Sequence, residues 1–278
     1  MDYTSILKGW KEFVNEGITK EGVPDLKYYA FDWDDNVVFM PTQIMLVDNQ
    51  GDEVGMSTHA FAKYREKIGK EEFPYEGHII KNYAENPFRN FRVQGDAQFL
   101  KDIMSAKLGP SFKDFKECVE GASLFAIITA RGHTPTILKE ACKRYILSGF
   151  NGIETNKVVE SIKKYNELYD TTKEMSPEEL VDDYLDKCKF HPVSFGGGSA
   201  ASPEQLKVEA LNDFIEYVNT QAKSIRKHAS KGAKIQIGFS DDDQKNIETM
   251  IANFGSREKG GKFKKGGKQS LKIKYTGH

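Results

Sequence analysis

The clearest pattern along the chain is a set of short runs that are apolar on both faces and end on a polar residue. Tyr28 to Phe31, Leu124 to Ile128 and Ile235 to Phe239 have this form. A strand that is apolar at successive positions must be covered from both sides, as parallel strands flanked by helices are. The runs end at Asp32, at Thr129, and at Ser240 followed by Asp241. Open parallel sheets bind ligands just beyond the carboxyl ends of their strands, so these end residues are the first places to look for chemistry.

The intervals read as helices with legible starts. Thr134-Pro135 sets a capping hydroxyl before a proline, and Ile137, Ala141, Tyr145 and Ile146 recur at helical spacing. Ser176-Pro177-Glu178-Glu179 and Ser202-Pro203-Glu204-Gln205 read as capping boxes, the second opening a long helix through Leu211, Phe214, Ile215 and Val218. Strand alternating with helix predicts an α/β fold, a three-layer Rossmann-like core on a parallel sheet. Residues 1–36 and 121–278 are assigned to that core, with a helical insertion near 149–190. Residues 37–120 are assigned to a mainly helical cap, because the interval between the first two strands far exceeds a crossover. Its start reads as a hairpin, Thr42 to Val47 returning over Glu53 to Met56 through Asn49-Gln50-Gly51-Asp52. Helices are expected near His59 to Ile68 and Ala97 to Leu108. Phe190 to Phe195 reads as a short strand, Gly196 to Ser199 as a loop, and Leu271 to Tyr275 as an edge strand.

Charge narrows this picture only locally. Lys plus Arg number 40 against 41 Asp plus Glu, so no whole-molecule field points to a polyanion. Basic residues do recur from Arg257 to Lys274 with Glu258 the single acid, a solvated tail able to steer an anionic substrate. Charges interrupt Met1 to Gly17, which therefore does not read as a signal peptide, and no later run is long enough to span a bilayer. A cytoplasmic protein without a membrane partner is expected. Cys118, Cys142 and Cys188 lack paired spacing and are expected as buried free thiols.

Asp32 and Asp34, two carboxylates just past a buried strand, repel each other unless a cation or a proton intervenes. Asp241-Asp242-Asp243 follows another such strand, so in one parallel sheet both clusters meet at its carboxyl edge. Oxygen-rich sites of this kind suit Mg2+. Thr129 adds a hydroxyl, the amides of Ala130 and Arg131 an anion-binding nest, and Lys207 a positive charge near a helix start. Asp243 is expected to cap a turn or helix, and His133 and His191 are given no chemistry.

In this order, Asp32 with Asp34, then Thr129, Lys207, and Asp241 with Asp242, the residues resemble the haloacid dehalogenase superfamily. The resemblance implies a phosphatase in which Asp32 attacks phosphorus to form an aspartyl phosphate, with Asp34 as general acid and base. It also implies Mg2+ held by Asp32, the Asp34 carbonyl and Asp241 or Asp242, with Thr129 and Lys207 on the phosphoryl group. Arg131 would reach phosphate or substrate, as a similar arginine does in polynucleotide phosphatases of that group. The chain departs from the family at Asn36, where Thr or Val is usual, and Lys223 and Lys227 compete with Lys207 on the same predicted helix. The expected substrate is a small phosphate monoester, a nucleotide or a nucleic-acid end, with Arg89 and Arg92 as substrate contacts. Phosphotransfer to a second alcohol, or non-catalytic binding of phosphorylated ligands or nucleic acid, would use the same residues.

Overall fold

The three runs read as buried strands lie side by side in a computed structural model that describes residues 26–168, 174–196, 201–225, 235–254 and 269–277. With strands numbered in chain order, β1 (Leu26–Phe31) sits between β8 (Phe125–Thr129) and β10 (Ile235–Asp241). β9 (Lys189–Pro192) flanks β8, and β11 (Gln269–Tyr275) flanks β10 as the expected edge strand. All four pairings of this five-stranded sheet are parallel. β8 is buried at every position, so both faces of the sheet are covered there.

The described helices are α1 (Thr58–Tyr64), α2 (Asp96–Asp102), α3 (Phe112–Glu120), α4 (Pro135–Leu147), α5 (Thr155–Leu168), α6 (Pro177–Lys187), α7 (Pro203–Ile225) and α8 (Gln244–Phe254). The expected caps form. The Thr134 hydroxyl accepts the amide of Ile137 before α4, and Ser176 with Glu179 makes a reciprocal box before α6. At the start of α7 the Gln205 amide donates to the Ser202 hydroxyl. α7 packs on α8 and on β8, β1 and β10, while α3, α4, α5 and α6 form a second packed group. Ile153, Val158, Ile162, Leu180 and Tyr184 all enter the main hydrophobic cluster. The 149–190 segment, read as a helical insertion within the core, thus packs into the main hydrophobic cluster.

Residues 37–120 are mixed, which corrects the mainly helical expectation. β3 (Gln43–Asp48) and β4 (Glu53–Ser57) form the hairpin read from the sequence, but β5 (Phe73–Tyr75) and β6 (His78–Tyr83) add a second one. Together they make a four-stranded antiparallel sheet, ordered β4-β3-β6-β5, with α1 beside it. The second hairpin turns through Glu76 and Gly77, both at positive φ (47° and 86°), as a two-residue primed turn requires. Glu in that first position is a weak sequence signal, which is why the hairpin was not legible. This sheet has its own hydrophobic cluster, Ile44 through Phe91. Phe99, Ile103, Phe112 and Phe115 belong to the main cluster instead. Short β2 (Val38–Phe39) and β7 (Lys107–Leu108) pair where the chain leaves and re-enters the core.

The three cysteines are buried and free. No helix among the described residues is long and apolar enough to cross a membrane. The readings of Met1 to Gly17, of Gly197 to Ser199 and of the tail through Lys268 lie outside the described residues.

Candidate active site

The site begins where β1 runs out. The Asp32 amide donates to the Ser240 carbonyl at 3.0 Å, which carries the β1–β10 pairing one residue further. Trp33 turns into the core, edge-on to Phe115 and Tyr145. Because side chains alternate along extended chain, Asp32 and Asp34 on either side of Trp33 face away from that core. The chain then folds back, with the amides of Val37 and Val38 both donating to the Trp33 carbonyl.

Asn36 stands where the resemblance would place Thr or Val, and its bonds give it a role of its own. It is fully buried, and its Nδ2 donates to the Asp32 carbonyl (3.0 Å), the Ser240 carbonyl (3.1 Å) and the Ser240 hydroxyl (3.0 Å). Its Oδ1 accepts from Thr276 at 2.7 Å. A Thr or Val could not supply this set. Asn36 ties the end of β1 to the end of β10 and to the segment after β11.

α7 delivers Lys207 into the same spot. Its ammonium is 3.0 Å from Asp32 Oδ1 and 2.7 Å from Asp241 Oδ2, with the lysine only 2% exposed. Burial alone would lower the Lys207 pKa, but Asp241 and Asp32 overcome it and hold the ammonium charged. The Lys223 side chain and Lys227 lie outside the described residues, and Lys207 is the lysine that reaches Asp32. Asp241 also accepts Asn246 Nδ2 on both oxygens and the amide of Asp243. Asp243 caps α8 as expected, its Oδ1 accepting the Lys245 amide, and its other oxygen meets Arg65 at 3.0 Å.

One ammonium therefore faces three carboxylates, since oxygens of Asp32, Asp241 and Asp242 lie within 4.8 Å of one another. Burial pushes the Asp32 carboxyl well up, against the pull of Lys207 and with the help of Asp241, Asp242 and Asp34. Burial and then Asp241 push Asp242 up to about 7. The excess negative charge and the all-oxygen donor set fit a divalent hard cation such as Mg2+. The expected ligand carboxylates are thus brought together.

Arg131, expected on phosphate or substrate, lines a cavity at this site and is held by an acid there. Its guanidinium clamps Asp34, with Nε to Oδ2 at 2.8 Å and Nη2 to Oδ1 at 2.7 Å. Nη2 also donates to the Thr42 hydroxyl, and Phe91 and Phe99 stack on the guanidinium at 4.6 and 4.4 Å. Nη1 lies 3.3 Å from His133 Nε2, which must accept because a guanidinium only donates. His133 Nδ1 then carries the proton toward Asp96, 2.7 Å away, and burial lowers the His133 pKa, which suits the neutral ring. The Arg131 side chain thus lines the cavity and orients Asp34, and its main-chain amide turns back to the Thr129 hydroxyl. Thr129 in turn donates to Asp34 Oδ2 at a long 3.5 Å.

Asp32, Asp34, Thr129, Ala130, Arg131 and Lys207 share a cavity of about 340 Å3. The insertion supplies its opposite wall through Ile44, Phe61, Phe88, Phe91, Arg65 and Arg92. Arg92 is held there because the Gly132 amide donates to the Phe91 carbonyl and Arg92 Nη1 donates to the Ser194 carbonyl. A Cβ at Gly132 would lie 2.4 Å from Arg92 Nη1 and 2.8 Å from Ser194 O, so this close approach needs glycine. Arg89, also expected as a substrate contact, lies outside the cavity lining and pairs with Glu53. Phe61 and the Arg131 partners Thr42 and His133 had not been assigned roles from the sequence, whereas Phe88 belongs to the aromatic and basic segment expected to contact a substrate base or phosphate.

No protein-family model, curated protein or solved structure matches the chain. Fold and site together define an α/β protein with a buried carboxylate cluster at the carboxyl edge of a parallel sheet.

Proposed function

We propose that this chain is a Mg2+-dependent phosphomonoester hydrolase of the haloacid dehalogenase type, working through an aspartyl phosphate on Asp32. The observation that carries the reading is the meeting of Asp32, Lys207, Asp241 and Asp242 at the ends of β1 and β10, where Asp32 and Lys207 line one cavity together with Asp34 and Thr129. Asp32, Asp241 and Asp242 would hold the ion, which when bound supplies charge to the phosphoryl oxygens. Lys207 neutralises the nucleophile's surroundings and the incoming phosphate, and phosphoryl transfer depends mainly on such positioning and neutralisation.

In the first step an Asp32 oxygen bonds to phosphorus and the bond from phosphorus to the leaving oxygen breaks. Asp34 in its protonated form gives that oxygen its proton, and the alcohol departs. In the second step water attacks the phosphorus, Asp34 takes back a proton, and the acyl–phosphate bond breaks to return Asp32 and release inorganic phosphate. Arg131 and Thr129 set the direction of the Asp34 carboxyl throughout. The strand-end bonds of Asn36 give that residue a positioning role compatible with an active site.

The test is Mg2+-dependent phosphate release from para-nitrophenyl phosphate by the wild type and by Asp32→Asn. The expected result is release by the wild type, loss on chelation, and background rates in the folded variant. Wild-type rates in the variant, or no release by the wild type from any phosphomonoester, would sink the reading.

A further inference from the structure

We infer that the leaving group is a nucleoside whose base lies against Phe61 and Phe88; the inference rests on the hydrolase reading and names its substrate class. The two sides of the cavity differ in kind. The core side presents Asp32, Thr129 and Lys207 to a phosphoryl group, while the facing side presents Ile44, Phe61, Phe88 and Phe91. A body that is all hydroxyls, such as a sugar alone, would lose its hydration against those four apolar side chains, which offer no hydrogen bonds in return. A planar ring gains both apolar burial and stacking there.

Phe61 and Phe88 meet edge to face at 5.6 Å and are only partly buried. They sit at the margin of the insertion's own cluster, where ring surface remains for a ligand. Phe91 is committed to Arg131 on one face. The cavity also holds Arg92, whose recorded partner is the neutral Ser194 carbonyl and which has no carboxylate partner among the described residues. Arg65, Arg131 and Lys207 are all paired with acids. An alkyl leaving group would use the rings but leave Arg92 without an acceptor. A nucleoside offers a ring for the wall, and ribose and base oxygens and nitrogens for Arg92 and Glu204. A volume of about 340 Å3 admits one such unit.

Two arms separate this inference from the reading it rests on. In the binding arm, the Asp32→Asn protein with Mg2+ is titrated calorimetrically with adenosine 5′- and 3′-monophosphate, ribose 5-phosphate and O-phosphotyrosine. The better nucleotide is expected to bind at least about tenfold more tightly than either of the others, the size of one base–aromatic stack. Phe88→Leu or Phe61→Leu, which keep apolar volume, should each erase most of that preference while leaving ribose 5-phosphate affinity and the melting temperature unchanged. Equal affinities for nucleotide and ribose 5-phosphate, equal affinity for O-phosphotyrosine, or a preference untouched by both leucine variants overturns the nucleoside assignment. In the turnover arm, the wild type is assayed for phosphate release from the same four compounds. A nucleotide preference in binding without release of phosphate refutes hydrolysis while upholding the nucleoside site.

Discussion

On the core side of the cavity the charged groups are already engaged with one another, whereas on the insertion side rings predominate and Arg92, one of two arginines there, is bound to a main-chain carbonyl. Lys207 sits between Asp32 and Asp241, and Arg131 is closed on Asp34 between two aromatic faces. Opposite them, Phe61 and Phe88 keep ring surface, and Arg92 reaches Ser194. A floor organised in this way is preorganised, and on the proposed hydrolase reading its groups would not need to be gathered when a phosphate arrives. A wall rich in rings fixes no chemistry, and on the proposed hydrolase reading it would select what the phosphate is attached to. The two sides are also joined unequally. The Phe91–Gly132 seam is a main-chain hydrogen bond beside a buried glycine contact, while the Arg65–Asp243 pair at the other margin is a partly exposed ion pair.

The sharpest way to break the contrast is to remove the cation at the centre of the floor. Lys207→Met keeps the length of the side chain but leaves Asp32 and Asp241 buried without their ammonium. Uncompensated buried charge of this kind costs about 3–5 kcal/mol, and the lysine is only 2% exposed. Urea denaturation should report a loss of that order, together with loss of phosphate release. A loss below about 1 kcal/mol would mean that solvent or a proton already screens the carboxylates. The wall would then be the better ordered half.

That floor was also the part most legible in the sequence. Asp32, Thr129 and Asp241 each stand at the end of a run that only a buried strand explains, and parallel pairing of those runs brings the ends together. Lys207 could be placed because a Ser-Pro start locates the first turns of its helix. The role of Arg131 could not be read, since it depends on Thr42, Phe91 and Phe99, which reach it only through tertiary packing. The wall was hidden for the same reason. Phe88-Arg89-Asn90-Phe91-Arg92 suggested a substrate contact, but nothing local tells that Arg92 turns into the cavity while Arg89 turns out to Glu53.

A smaller effect should come from protons competing with Mg2+ on the floor. Asp242 is raised to about 7 and the nearby Asp35 to about 6, both chiefly by burial. A carboxyl with a raised folded pKa stabilises the fold below its unfolded pKa, and that contribution is lost as pH rises through the folded value. Without Mg2+, these groups should therefore lower the melting temperature as pH rises from about 4 to about 7. Mg2+ binds the ionised carboxylates, so the rise in melting temperature that it causes should grow over the same interval. Melting curves with Mg2+ or with a chelator check both trends. A Mg2+ effect that is constant with pH, or largest at low pH, would remove Asp242 from the ion's ligands.

The smallest effect distinguishes the two arginines of the insertion. Arg89 pairs with Glu53 at the surface, where the guanidinium holds the Glu53 carboxyl below its ordinary pKa, and both side chains remain substantially exposed. Exposed pairs lose in side-chain entropy and salt screening most of what they gain in attraction. Arg89→Ala should leave the melting temperature and the kcat/KM for the preferred nucleotide indistinguishable from wild type. Arg92→Ala removes the cavity's arginine that lacks a carboxylate partner among the described residues, and should raise KM with a smaller change in kcat, because its contact is with the leaving group and not with the reacting phosphorus. If Arg89→Ala raised KM as much as Arg92→Ala, the substrate would have to extend past the cavity to the Glu53 face. The wall would then be one part of a longer surface, and the division between a chemical floor and a selective wall would no longer describe the site.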